Sequence, residues 1–307
     1  MITIASQLKR DKILQNAMRA LKNRILPVLA FANRIQSEPL EGTDTINVPY
    51  FPLASGATKD FVAGTGYVVG LNQSVGYKPV TINKRKYRDV YFTSVEWNRQ
   101  PHLKVEKLVE MEAEKLADDV LADIWSVVTA ANYPGTSGTN MLPAMAASAF
   151  DFDDLATLRR FCGEANWPSV GRSVILDGTF HEYLTRDSRF GMQNTGSNEA
   201  AREGRVSRAL GFDVLEVPLL PPNGAEKVAG AAVYQSAILV GFAPVTPHPT
   251  LRKTVVDYTI VTDPDTGLAL EYRAWGNPNM DAVTETIEVN YGFAVGEAAA
   301  LKRIVTP

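Results

Sequence analysis

Histidine, the side chain most suited to acid–base catalysis and metal binding near neutral pH, occurs only three times in the 307 residues. His102, His181 and His248 are far apart in the sequence. The segment HEYLT at residues 181–185 begins like the helix of a zinc protease, but it lacks the second histidine four positions after the first. The histidines therefore predict no zinc site.

Glycine, acidic and cysteine patterns give no stronger indication of chemistry. The pattern G-x-G-x-x-x-G at residues 64–70 misses the dinucleotide-binding spacing by one residue, and no nucleophile elbow or phosphate-binding loop occurs. Asp153 and Asp154 are placed to cap a helix, and DPDTG at residues 263–267 reads as a turn with weak cation binding as the alternative. The single cysteine, Cys162, excludes an intrachain disulfide. We expect no enzyme activity, no catalytic residue, no cofactor and no metal.

Charge spacing gives a clearer functional indication. Four acids follow each other at regular steps of four, where like charges repel along one helix face. They form the acidic series: Glu106, Glu110, Glu114 and Asp118. A compact set of cations, the basic cluster, lies just upstream: Lys84, Arg85, Lys86 and Arg88. The acidic series is either a solvated helix face or a surface that receives a basic element, and we predict that it meets the basic cluster in an intersubunit contact.

The acidic series belongs to a long predicted helix over residues 101–132. Its apolar residues recur at steps of three and four, and no glycine or proline interrupts the run after Pro101. Thirty or so residues would make a rod of roughly 45 Å. We expect this helix to be the main structural support of the fold.

A long β-ribbon is predicted immediately before that helix. Residues 45–50 and 77–95 alternate between apolar and polar side chains around a glycine-rich middle. A two-stranded ribbon alone is only marginally stable in water. It needs a surface to lie on, and a ribbon that projects from the start of the helix is placed to reach the helix of another copy.

The first 36 residues carry seven cations against one acid. Ile13, Ala17, Leu21 and Ile25 share one helical face, which predicts a basic amphipathic helix that ends near Pro27. Three uses remain open: packing on its own or a neighbouring subunit, anchoring of internal anionic cargo, and binding at a membrane surface.

The rest of the chain mixes helix and strand. Residues 152–245 alternate between the two and predict an α/β module with one small sheet, in which residues 190–204 form a loop rich in Gly, Asn and Ser. Residues 254–262, 268–275, 282–291 and 301–305 predict a closing β-meander. The fold class is therefore α+β.

Composition limits the classes of protein. A chain that is 45% hydrophobic can bury a large core, and no apolar run reaches the length of a membrane span. The beginning of the chain lacks the pattern of a signal peptide. A formal net charge of −3 argues against a general nucleic-acid binder.

The order of these parts resembles a known family. A basic arm, a first strand with the pattern G-x-D-T-I-x-V at residues 42–48, a glycine-rich ribbon, a long acidic helix, an α/β module and a β-meander succeed one another. This succession resembles the major capsid proteins of tailed bacteriophages, which share the HK97 fold, and the arm and first strand are most similar to the P22 coat branch. The resemblance covers essentially the whole chain, although the chain has no room for the inserted domain of the P22 coat.

The resemblance implies a division of the chain into parts. These are an N-terminal arm (1–44), an E-loop ribbon (45–97), a peripheral domain with the spine helix (98–140 and 251–307) and an axial domain (141–250). The chain starts too close to its first strand to carry a long cleavable scaffolding domain, which implies a separate scaffold or none.

The resemblance also implies the function and the partners. Many copies would assemble, as pentamers and hexamers, into the icosahedral shell of a virion in the host cytoplasm, with no role for a membrane. Other implied partners are a scaffolding protein, a portal, a decoration protein and double-stranded DNA contacted without sequence specificity. The alternatives are the shell protein of an encapsulin-like bacterial compartment and an enzyme of unrecognised type.

Overall fold

The computed structural model describes residues 3–25, 27, 32–36, 44–53, 61, 63–64, 75–99, 105–187, 208–217, 220, 227–245, 257–263, 267–277 and 279–307. The helices in this part of the chain are α1 (Thr3–Ile25), α2 (Ser94–Arg99), α3 (Val105–Trp125), α4 (Phe152–Glu164) and α5 (Gly178–Arg186). The first strands are β1 (Ala32–Gln36), β2 (Thr45–Tyr50), β3 (Gly76–Thr81), β4 (Lys84–Thr93), β5 (Ser173–Asp177), β6 (Arg208–Ala209) and β7 (Phe212–Val217). The remaining strands are β8 (Lys227–Val233), β9 (Ile238–Phe242), β10 (Asp257–Thr262), β11 (Ala269–Asn277), β12 (Ala282–Val295) and β13 (Leu301–Thr306).

The predicted N-terminal helix is confirmed as α1. Its apolar face, which includes Ile13, Ala17, Leu21 and Ile25, is buried in the larger hydrophobic core and packs against α3 of the same chain. Of the three uses left open by the sequence, the structure therefore supplies the first, packing on its own subunit.

The acidic helix is shorter than predicted. α3 buries the expected apolar stripe, which includes Val109, Leu116 and Ile124, but it ends at Trp125 and not at residue 132. Residues 126–129 are a serine and three β-branched residues, which are poor helix formers. The chain turns here, and the Asn132 Nδ2 donates a hydrogen bond to the carbonyl of Val127 at 2.7 Å. The predicted start, residues 101–104, lies outside the described residues.

The larger sheet supports α1 and α3. Its strand order is β1-β9-β12-β11-β10, and β4 pairs with the first part of β12. β10, β11 and β12 form consecutive antiparallel pairs, which confirms three strands of the predicted meander. The fourth predicted strand, β13, pairs instead with β8 of the second sheet. β1, which the sequence did not predict, pairs parallel with β9.

The ribbon also differs from its prediction. β2 and β3 form the antiparallel pair, from Thr45 opposite Thr81 to Tyr50 opposite Gly76. β4, which was expected to continue the second arm, leaves the ribbon and pairs with β12 from Lys84 opposite Tyr291 to Thr93 opposite Ala282. Cross-strand side-chain pairs stabilise a sheet, and β12, the longest strand in the described part of the chain, opposes every residue of β4. The basic cluster therefore lies on the larger sheet and not on the ribbon.

The second sheet forms most of the α/β module predicted over residues 152–245. The prediction is wrong for β9, which joins the larger sheet between β1 and β12. The strand order of the second sheet is β13-β8-β5-β7-β6, and with α4 and α5 it encloses a second hydrophobic core that includes Leu158, Phe161 and Phe180. The cap of α4 is Asp151 and not the predicted pair Asp153–Asp154. Its carboxylate accepts the N–H of Asp153 at 2.9 Å, while Asp154 completes a capping box. The predicted loop at residues 190–204 lies outside the described residues.

None of the described helices is both long enough and apolar enough to cross a membrane.

Candidate functional site

The acidic helix α3 lies between two basic elements of its own chain. Its apolar stripe faces the larger core, α1 packs along one of its flanks, and β4 packs along another. Both neighbours carry cations, so the charges of α3 are met on two sides. This arrangement decides which acids are available for contacts outside the subunit.

On the α1 side, two members of the acidic series approach cations of the basic N-terminal helix. Lys12 Nζ lies 3.9 Å from Glu106 Oε2, and an Arg24 guanidinium nitrogen lies 3.8 Å from Glu114 Oε2. All four side chains are partly exposed to solvent. Long, exposed pairs of this kind stabilise a fold by at most about 1 kcal/mol. Glu106 and Glu114 therefore stay largely free to meet other charges.

The other two members of the acidic series have different surroundings. Glu110 accepts a hydrogen bond from Lys107 at 3.0 Å, a pair along the same helix. Asp118 lines a cavity of about 370 Å³ between the end of α1, α3 and β7. The lining residues are Asn23, Arg24, Pro27, Asp118, Leu121 and Glu216.

On the β4 side, three members of the basic cluster contact α3. The Arg88 guanidinium donates to Asp119 Oδ2 at 2.6 Å, and Lys86 donates to the Asp119 carbonyl at 2.9 Å. Lys84 and Lys86 lie 3.8 Å and 3.4 Å from the Asp123 carboxylate. Strand β4 is thus tied to α3 by charge as well as by packing.

The contacted acids are not those that the sequence singled out. Arg88 reaches Glu112 at 3.8 Å in addition to Asp119, so the receiving acids are Glu112, Asp119 and Asp123. In the described part of the chain, no ion pair joins the basic cluster to the acidic series. The receiving acids occur at steps of seven and four, which also fall on one helix face, and a search for steps of four alone misses them. The predicted intersubunit contact remains a prediction.

The pKa values of the central pair shift in opposite directions. Burial raises the pKa of the Asp119 carboxyl, but hydrogen bonds from Arg88 and Lys115 outweigh it and hold that pKa below its ordinary value. The hydrogen bond to Asp119 raises the pKa of Arg88. Both shifts favour the charged forms, as expected for an ion pair.

The fourth member of the basic cluster, Arg85, points to the opposite face of the sheet. A terminal guanidinium nitrogen donates to Glu288 Oε2 at 2.8 Å, and Nε lies 2.6 Å from Glu288 Oε1 in the same ion pair. Glu288 is buried, and so is its cross-strand partner Glu271. The Asn290 amide bridges the two carboxylates at 2.6 Å and 3.1 Å, and Arg273 donates to Glu271 at 3.0 Å. No pattern in the sequence indicated this buried network.

Large apolar side chains are exposed on both the ribbon and the acidic helix. Phe51 is 70% exposed and Tyr77 67% exposed at the far end of the β2–β3 pair. On the outer face of α3, Met111 is 64% exposed and Leu108 37% exposed. Large apolar side chains are exposed elsewhere as well, as at Tyr87 and Tyr91 of β4. Neighbouring exposed apolar groups on one element can form a patch of the kind that marks an interaction surface.

The residues that the sequence offered as candidates for catalysis or metal binding make contacts that stabilise the fold. His181 is buried with its Nδ1 3.7 Å from a Glu216 oxygen, while His102 and His248 lie outside the described residues. The Asp263 carbonyl accepts a hydrogen bond from the Gly267 N–H, and the Asp263 carboxylate forms an ion pair with Lys22 at 3.1 Å, while residues 264–266 of the predicted turn lie outside the described residues. Burial raises the pKa of the Cys162 thiol to about 12. The described residues contain no group of three side chains that could hold a metal ion.

Comparison with known proteins gives matches in structure only. No family model matches the chain, and no curated protein matches it in sequence. Among solved structures, the capsid structure of the cyanophage P-SCSP1u is similar with a TM-score of 0.59 and 13% identity, over 90% of this chain and 86% of that one. A structure from Mycobacterium phage Che8 gives a TM-score of 0.53 and 17% identity, over 86% of this chain and 85% of that one.

A third match is the mature capsid of bacteriophage PhiM1, with a TM-score of 0.51 and 10% identity over 90% of this chain and 86% of that one. These similarities cover nearly the full length on both sides, so they concern the whole architecture and not one module. With its several sheets and few helices, the chain has the mixed α+β fold of phage capsid proteins.

Proposed function

We propose that this chain is a major capsid protein, many copies of which assemble into the icosahedral shell around a phage genome. The observation that carries the proposal is the shared fold, which extends over 90% of the chain in the cyanophage capsid comparison. Fold alone does not fix function. The exposed apolar groups on the ribbon and on α3 add an independent reason to expect assembly.

We assign the parts of the chain to those of an HK97-type subunit. The β2–β3 ribbon with its connecting residues is the E-loop, and α3 is the spine helix. The larger sheet, with β10, β11 and β12, belongs to the peripheral domain, and the second sheet with α4 and α5 forms the axial domain. Within the HK97 group we place the chain closest to the P22 coat branch, on the basic N-terminal helix and the first ribbon strand.

The main contact between copies joins the ribbon of one subunit to the α3 surface of the next. Phe51 and Tyr77 would be buried against the outer face of α3 around Leu108 and Met111, and burial of apolar surface contributes about 25 cal/mol per Å². Each contact alone can be weak, because every subunit makes several and the shell is closed.

Charge sets the register of this contact. The acidic series retains partly exposed carboxylates at Glu106, Glu110 and Glu114. Cations of a second copy, including the partly exposed basic cluster, steer the approach and fix the orientation more than they add affinity. We keep this intersubunit contact as part of the proposal.

Other partners follow from the shell. Assembly would take place in the host cytoplasm, with a separate scaffolding protein, a portal and a decoration protein as candidate partners. The packaged double-stranded DNA would be contacted without sequence specificity, through phosphate-neutralising cations.

The experiment that tests the proposal is negative-stain electron microscopy of the chain expressed alone and together with a scaffold from the same genome, with light scattering after size exclusion. We expect closed, regular particles in at least one of the two preparations. Monomers in both preparations contradict the proposal. Particles that enclose a co-purified enzyme would instead indicate a bacterial compartment.

A further inference from the structure

The base of the ribbon packs onto the body of its own subunit. The ribbon is joined to the rest of the chain at both ends and crosses β9 and β12 of the larger sheet. Its contacts there involve glycines, apolar side chains and one lysine. We call this set the ribbon seat. It consists of Gly241, Gly292, Val48, Val80, Leu239 and Lys78.

Two glycines make a notch in the sheet for the ribbon. Gly241 of β9 and Gly292 of β12 lie directly opposite each other. A Cβ on Gly292 would overlap the carbonyl oxygen of Thr81 and lie 2.7 Å from its carbonyl carbon. A Cβ on Gly241 would lie 3.1 Å from the Cδ1 of Ile82. The ribbon backbone can approach β12 this closely only because Gly292 has no side chain.

An apolar plug fills the space beside the notch. Val48 and Val80, on the inner face of the ribbon, and Leu239 of β9 are fully buried and form a separate small core. Ile46 and Tyr50 pack around it. This core supplies the surface that an isolated two-stranded ribbon lacks.

A lysine holds the ribbon to the end of β12. The Lys78 ammonium donates to the carbonyls of Gly296 at 2.6 Å and Val295 at 3.2 Å. It also lies 5.4 Å from the centre of the Tyr50 ring, within the range of a cation–π contact. Because the two carbonyls belong to the body and Lys78 to the ribbon, these two hydrogen bonds oppose rotation of the ribbon about its base. The contact with Tyr50 lies within the ribbon and orients the Lys78 side chain.

We propose that the ribbon seat fixes the direction in which the ribbon leaves the subunit, before any second copy is present. This inference rests on the proposed function in one respect: in a shell, that direction decides where the ribbon meets its neighbour and so the curvature between subunits. The seat itself is a property of the single chain and can be measured without assembly.

The test uses two spin labels, at Tyr77→Cys on the outer face of the ribbon and Lys107→Cys on α3, with distances read by double electron–electron resonance. Tyr77 and Lys107 are 67% and 68% exposed, while the native Cys162 is buried and will not label. The labelled chain is diluted into unlabelled chain, so that only distances within one subunit are read. We expect one narrow distance distribution.

Two variants disturb the seat, and each has a matched control. Gly292→Ala should shift the mean distance, and Lys78→Met should broaden the distribution. The control for the glycine variant is Gly276→Ala, which lies in the same sheet and has no atom within 4 Å of the added Cβ. The control for the lysine variant is Lys227→Met at an exposed position. Both controls should leave the distance distribution unchanged. Unaltered distributions in both seat variants overturn the proposal; if Gly292→Ala does not fold, Lys78→Met decides.

Electron microscopy of the same variants separates this proposal from the proposed function. If the chain forms shells, altered distance distributions should be accompanied by particles of altered or mixed diameter. Particles of unchanged diameter would overturn the link to curvature. Failure of the unsubstituted chain to form particles under any condition would count against the proposed function alone, since the distances are measured within single chains.

Discussion

Arg85 illustrates how one surface side chain can stabilise a buried charge. It is about half exposed at the edge of the larger sheet, yet it forms an ion pair with Glu288, which is almost fully buried, and donates a hydrogen bond to one of its oxygens. Asn290 and Arg273 provide the remaining contacts between Glu288 and the neighbouring carboxylate of Glu271. Two carboxylates and two guanidiniums thus neutralise one another inside the sheet, where an unpaired charge is costly.

We expect Arg85→Met to lower the free energy of unfolding by about 1 to 3 kcal/mol, because it leaves Glu288 buried with weaker partners while water reaches part of the vacated space. Urea unfolding monitored by circular dichroism measures the change. The control is Arg160→Met, which breaks an exposed pair with Glu164 and should cost less than about 1 kcal/mol. Equal losses in the two variants would contradict the role given to burial.

A second prediction at the level of single residues concerns Asp119 and the pH dependence of the unfolding free energy. The pKa of Asp119 is raised by burial but lowered overall by hydrogen bonds from Arg88 and Lys115. A carboxyl with a lowered pKa in the folded state stabilises the fold above the ordinary value of about 4 and loses that contribution as the pH falls through its folded pKa.

The unfolding free energies of the unsubstituted chain and Asp119→Asn should therefore differ at neutral pH and converge as the pH falls through the folded-state pKa of Asp119. Chemical denaturation at several pH values measures this difference. A difference that stays constant over the whole range would show that the Asp119 charge is not responsible.

At the scale of elements, the acids of helix α3 fall into two groups according to their contacts within the subunit. Glu112, Asp119 and Asp123 face β4 at hydrogen-bond or ion-pair distance, whereas Glu110 and Glu114 lie on other flanks with long or local pairs. The first group stabilises the packing of helix on sheet. The second group contributes little to the subunit and is suited to meet another copy.

We expect the double reversal Glu110→Lys and Glu114→Lys to block assembly and to leave the subunit folded. The new lysines repel the cations of an approaching copy, while the ion pairs lost among the described residues are the exposed ones with Lys107 and Arg24. Light scattering reports assembly, and circular dichroism reports folding. Glu182→Lys, on the exposed side of α5, is the control and should assemble normally. Normal particles from the double variant would refute the contact.

At the scale of the molecule, two main hydrophobic cores stabilise different parts of the fold. The larger core joins α1, α3 and the larger sheet, and the smaller one joins α4, α5 and the second sheet. β8 and β13 line both cores, so the two sheets are continuous through packing. The ribbon is anchored by its seat, and its far end presents apolar groups to solvent.

We expect Phe51→Ser together with Tyr77→Ser to prevent particle formation without altering the unfolding midpoint by more than a few degrees. Both side chains are largely exposed in the subunit, so their apolar area is buried only on assembly. Size-exclusion chromatography and thermal unfolding measure the two effects. The matched variant Val170→Ser, at a 74% exposed position outside the ribbon and α3, should assemble. Particles from the double variant would show that the far end of the ribbon does not carry the contact.

Structural features that depend on residues close together along the chain could be predicted from the sequence alone. The apolar stripes of α1 and α3 and the alternation of β10 to β12 follow from periods of 3.6 and 2, which are read within one element. The order of these elements sufficed for the resemblance to phage capsid proteins. Residue types also showed that charge would matter around the acidic helix.

Contacts between distant parts of the chain became visible only in the folded molecule. Alternation showed that residues 84–93 form a strand, but only the fold showed that β12, some two hundred residues later, is its partner. That pairing placed Lys86 and Arg88 over Asp119 and Asp123, and Arg85 over Glu288. The glycine notch at Gly241 and Gly292 was equally hidden, since neither residue has a positive φ or a turn motif to mark it. Which strands pair, and where two backbones approach closely, depends on the relative stability of all possible pairings in the chain. A pattern within one segment does not contain that information.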